Sequence, residues 1–88
     1  MTDEYLIAFS SFYKAAYAQE KLAEAGIRTI AKRLPPEVIH SCGYALYLKA
    51  SNMLIEHVIS ILELNEIGHR GIFIVNDQNS RNAYNRIN

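Results

Sequence analysis

Twice along this chain a short apolar run is followed by serine, then by apolar residues at helical spacing, then by glycine, then by a second strand-like run. In the first unit Tyr5-Leu6-Ile7-Ala8-Phe9 reads as a strand, and Ser10 or Ser11 caps a helix over residues 11–25. Phe12, Ala15, Ala16, Leu22 and Ala23 are its expected apolar face, and Gly26 stands where a left-handed turn would end it. Arg28 to Arg33, with the β-branched pair Thr29 and Ile30, reads as a half-buried strand. In the second unit the strand is Tyr44 to Leu48 and the cap is Ser51. The helix places Leu54, Ile55, Val58, Ile61 and Leu62 on one face, Gly68 closes the region, and Gly71 to Val75 is the last strand.

The element order is therefore βαββαβ. Two strand–helix–strand units in so short a chain predict the ferredoxin-like α+β arrangement, a four-stranded antiparallel sheet with both helices on one face and the other face open. A different small α/β sandwich is the alternative. Residues 1–75 form this domain. Residues 76–88 form a polar tail with asparagine at 76, 79, 82, 85 and 88, read either as a solvated segment or as one anchored through Tyr84 and Ile87.

Composition matters here for what it excludes. The 88 residues carry nine Lys and Arg against nine Asp and Glu, five of each sign in residues 1–44 and four of each in 45–88. A nucleic-acid partner normally needs clustered positive charge, so none is expected. The apolar runs are far too short to span a bilayer, and the acidic start Met1-Thr2-Asp3-Glu4 does not read as a signal peptide. A cytoplasmic protein with no membrane partner is the expectation. Five aromatics, Tyr5, Phe9, Tyr44, Tyr47 and Phe73, fall in strands. They read as core or as an interface between copies in preference to a base-stacking platform, which predicts a homo-oligomer.

Cys42 is the chain's one cysteine, in the loop that starts at Pro35-Pro36. Proline lacks the ladder donor, so residues 35–43 read as irregular. By residue type alone Cys42 is either a small buried hydrophobe or a nucleophilic thiolate. The second reading needs exposure and nearby donors or positive charge. Arg33 and Lys32 precede the loop, His40 is a candidate proton acceptor, and Gly43 permits close backbone approach. His40, Cys42, His57 and His69 lack the paired short spacing of a zinc site, so no metal is expected. Gly68-His69-Arg70-Gly71 is not followed by a helix and reads as a turn, not a phosphate loop.

The segment Arg33-Leu34-Pro35-Pro36-Glu37-Val38-Ile39-His40-Ser41-Cys42-Gly43-Tyr44-Ala45-Leu46, together with Glu24-Ala25-Gly26-Ile27, resembles the selenium/sulfur carrier protein-like family. The resemblance covers residues 5–75. It implies that Cys42 holds sulfur or selenium as a persulfide or selenosulfide, loaded by a donor enzyme. Ser41, Gly43, His40 and Arg33 would support the thiol. Such a protein is a carrier rather than a catalyst and needs no cofactor. Tyr47 departs from the basic residue that often follows the Ala-Leu pair, which weakens any anion-binding role there. The second reading is a non-catalytic binding or self-associating module with an inert cysteine.

Overall fold

The computed structural model describes residues 2–34, 43–75 and 84–87. The elements are β1 (Asp3–Phe9), α1 (Phe12–Glu24), β2 (Ile30–Arg33), β3 (Tyr44–Ala50), α2 (Asn52–Leu64), β4 (Gly71–Val75) and β5 (Tyr84–Arg86). All neighbouring strands are antiparallel, in the order β2-β3-β1-β4-β5. The first four reproduce the expected ferredoxin-like sheet. The fifth was not expected. It pairs Phe73 with Arg86 and Val75 with Tyr84, and the Ile87 amide donates to the Ile72 carbonyl at 2.7 Å. The free edge of β4 supplies partners that a three-residue strand cannot supply for itself. Ile87 remains 48% exposed, and its described tie to β4 is through its backbone amide.

The two helices are near-copies offset by forty residues. Ser11 and Ser51 each accept from the amide three residues on, Lys14 and Leu54, at 3.2 Å. Buried Ala15, Ala18 and Leu22 correspond to buried Ile55, Val58 and Leu62. The first helix thus turns differently from the expected face: Phe12 and Ala23 are exposed. Two small alanines and Leu22 make up its inward stripe, and Phe12 turns to the Tyr44 ring instead. Both helices end in the same two-bond turn. The Ile27 amide reaches the Leu22 carbonyl at 2.9 Å, and the Ile67 amide reaches Leu62 at 2.8 Å.

The left-handed residue of the first turn is Gly26, at φ 80°, as expected. In the second it is Glu66, at φ 55°, and not Gly68. A side chain costs about 1 kcal/mol or more in that conformation. Glu66→Gly is therefore expected to stabilise the domain by about 0.5–1 kcal/mol, after allowing for the greater freedom of glycine in the unfolded chain. Thermal unfolding checks this, and a lower midpoint would refute it.

The main core lies between the sheet and the helices. Tyr5, Ile7 and Phe9 of β1, Leu46 and Leu48 of β3 and Ile72 of β4 meet Leu22, Val58 and Leu62. The opposite face is not open as expected. Leu6, Ala8, Leu34, Ala45 and Phe73 form a second buried cluster there, with Tyr47 and Val75 packed against it. Of the five strand aromatics, Tyr5, Phe9 and Tyr44 belong to the helix side, and Tyr5, Phe9 and Phe73 are buried. They do not form a platform. Strand β2 corrects another expectation: its four residues are all exposed, at the edge of the sheet, rather than half-buried. No described helix is long and apolar enough to cross a membrane.

Candidate functional site

Of the site residues read from the sequence, Arg33 and Gly43 are described. His40, Ser41 and Cys42 lie outside the described residues. The site is therefore approached through its two anchors, Leu34 and Gly43, which flank the segment and join each other. The Leu34 amide donates to the Gly43 carbonyl at 3.0 Å, continuing the β2–β3 ladder by one step beyond Arg33↔Tyr44.

Gly43 is held against the end of β1. A Cβ built on Gly43 would stand 2.6 Å from the Phe9 carbonyl oxygen and 3.4 Å from a Leu34 methyl. Only glycine allows that approach, because the nearest obstacle is backbone and cannot swing aside. Phe9 is the last residue of β1, two before the Ser11 cap of α1. A ring contact ties the same corner from above. Phe12, the first helical residue, meets Tyr44, the first residue of β3, edge to face with centroids 5.3 Å apart.

Two features of this corner favour an anion. The first turn of α1 has no acidic residue. Ser11 and its carbonyl take up the Lys14 and Ala15 amides, while those of Phe12 and Tyr13 have no acceptor among the described residues. Unfilled amides and the helix dipole favour an anion at such an end. Arg33 shares a register row with Tyr44 and Phe9, so its side chain leaves the sheet on the side where α1 lies. The sequence reading named Arg33 and Gly43 but missed the amino end of α1. The Ser10-Ser11 pair directly after the first apolar run was the available signal.

Neither of the described histidines adds to this corner. His57 is exposed on α2. The Nδ1 of His69 accepts the Gly71 amide at 3.1 Å, as a turn constraint. Among the described residues no three His, Cys, Asp or Glu side chains come together. Where the family resemblance led us to look for a basic residue, Tyr47 carries a cation on its ring instead: the Lys32 Nζ, from the neighbouring strand, lies 5.2 Å from the ring centre.

Residues 4–74 match the family described as "Putative Se/S carrier protein-like". The matched span takes in both repeats, Arg33 and Ser41-Cys42-Gly43, and stops before the asparagine-rich tail. No curated protein and no solved structure matches the chain.

Proposed function

The chain belongs to the Se/S carrier protein-like family, and from that premise we propose that Cys42 carries sulfur or selenium as a persulfide or selenosulfide. The Cys42 thiolate attacks the outer sulfur or selenium atom of a donor enzyme's own persulfide or selenosulfide. The donor's bond to that atom breaks as the new bond to Cys42 forms, and the donor thiolate leaves. The transfer is an exchange, so it needs no external oxidant and no cofactor. Delivery to an acceptor thiolate is the same step in reverse.

The observation that best supports this reading is the anchoring of Gly43 against Phe9 at the amino end of α1. One peptide link ties Cys42 to Gly43, with Cα atoms about 3.8 Å apart. Unfilled amides and Arg33 at that corner favour a thiolate and its charged persulfide. Ser41 and His40 precede the thiol, and His40 is the candidate acceptor of its proton. The donor is a protein that presents a chalcogen on its own cysteine.

A second reading keeps Cys42 inert and makes the domain a self-associating module. The exposed β2 edge with Ile30 60% exposed favours it. One experiment separates the two. Labelling of the folded protein by a maleimide is expected to proceed at a rate near that of the denatured chain. Labelling that waits for unfolding, in a protein with the light-scattering mass of a dimer, would replace the carrier reading with the second one.

A further inference from the structure

The sheet ends at β2, whose outer edge has no strand beyond it among the described residues. The Leu34–Gly43 bond fixes which backbone groups point where. Ile30, Lys32 and Leu34 bond towards β3, so the amides and carbonyls of Ala31 and Arg33 point away from the sheet. None of these groups has a partner among the described residues. The edge closes at Thr29, whose carbonyl accepts the Gln19 Nε2 at 3.0 Å. What stays open is a short length of strand directly before the segment that carries Cys42.

The side chains on this edge are cationic. Residues 25–36 hold Arg28, Lys32 and Arg33 and no Asp or Glu. Lys32 and Ile30 share the face away from the helices with Ala45 and Tyr47, and Arg33 takes the opposite face. Lys32 and Arg33 are exposed, and neither meets a carboxylate among the described residues.

An open edge suits a second copy, but these residues do not. Antiparallel pairing of two β2 strands has three registers that use the outward groups. Ala31 against Arg33 sets the two Lys32 side chains directly opposite each other, with Cα atoms about 4.5 Å apart. Arg33 against Arg33 opposes like charges again and needs a donor from Pro35, which has none. Ala31 against Ala31 needs the Thr29 carbonyl that Gln19 already occupies. Cations on an edge guard it against its own kind, and the same cations attract an acidic strand.

We propose that the β2 edge takes an extended, acidic segment of a partner protein as an added strand. The segment runs antiparallel, as every neighbouring pair in this sheet does. Its backbone bonds to Ala31 and Arg33, its acidic residues stand opposite Arg33 and Lys32, and an apolar residue covers Ile30. Read along the partner, the order is acid, acid, any residue, apolar. Such a strand lies beside the anchor at Leu34 and Gly43. Only in making that partner the chalcogen donor does the inference rest on the carrier reading.

The peptide acetyl-Thr-Glu-Glu-Thr-Val-Thr-amide, titrated into the isotopically labelled full chain, tests this. It is expected to shift the amides of Ala31 and Arg33 most. Methylating the amide nitrogens of its first glutamate and of the threonine before valine should abolish binding, because those amides face β2. Methylating the second glutamate's amide, which faces away, should not. Replacing both glutamates by lysine should weaken binding about tenfold, and added salt should narrow that difference. Lys32→Glu, at an exposed position, should weaken the parent peptide about fivefold and improve the lysine peptide. Cys42→Ser should bind the peptide as the parent does, which keeps this result separate from the carrier reading. Equal binding of the lysine peptide, equal binding of the peptide methylated on its β2-facing amides, or shifts confined to other parts of the chain would overturn the proposal. So would Ala31 and Arg33 amides that shift with protein concentration alone, since a second copy would then hold the edge.

Discussion

Gly43→Ala is expected to destabilise the domain by about 2–3 kcal/mol and to lower its unfolding midpoint by roughly 10–20 °C. The added methyl would meet the Phe9 carbonyl oxygen at 2.6 Å. Phe9 is paired with Tyr44 in the central ladder and cannot retreat without loosening β1 from β3. Gly43 must move instead, and its bond from the Leu34 amide goes with it. Both ends of the segment that carries Cys42 are then released together. Under the carrier proposal the effect reaches function as well as stability, because Gly43 is the residue joined directly to Cys42. Gly68→Ala is the matched control. Nothing lies within 4 Å of a Cβ there, so its effect should stay near zero. Urea unfolding of the two variants beside the parent gives the comparison, and equal stabilities would contradict the close approach of Gly43 to β1.

Much of this fold was legible because its strongest signals are local. Ser11 and Ser51 act as caps, Gly26 adopts the left-handed turn, and the apolar runs of β1, β3 and β4 become central strands. What could not be read depends on partners distant in sequence. Phe12 counted as an inward residue by spacing, yet it is 56% exposed and serves the corner by touching Tyr44. β2 lacked clean alternation because an edge strand with all four residues exposed has no buried side to encode. β5 sits in a segment of poor strand formers, and only the unpaired edge of β4 makes it a strand. Glu66 gave no hint of a positive φ; the two-bond turn through Leu62 imposes it.

The candidate site divides the same way. Ser41-Cys42-Gly43 after a proline pair is a sequence motif; residue type alone left Cys42 between a buried hydrophobe and a nucleophile, and the family resemblance is what singled it out. The contact of Gly43 with Phe9 arises from the register between β1 and β3, so no local pattern announces it.

Cys42→Ser is expected to remove all chalcogen loading, the largest functional effect of any single change in this chain. The carrier chemistry has one nucleophile, and this sequence has one cysteine to provide it. A serine hydroxyl is a far weaker nucleophile and forms no persulfide. The substitution changes one atom in a segment flanked by the Leu34–Gly43 bond, which involves backbone only, so that anchor should survive. An unchanged unfolding midpoint for Cys42→Ser would confirm that lost loading reflects lost chemistry and not lost fold. The decisive measurement is the intact mass of the parent and of Cys42→Ser after incubation with a cysteine desulfurase and free cysteine. The carrier reading predicts that the parent gains the mass of one sulfur atom, that a thiol reductant removes it, and that the serine variant gains nothing. A parent whose mass stays unchanged, or a serine variant that gains the same mass, would contradict it.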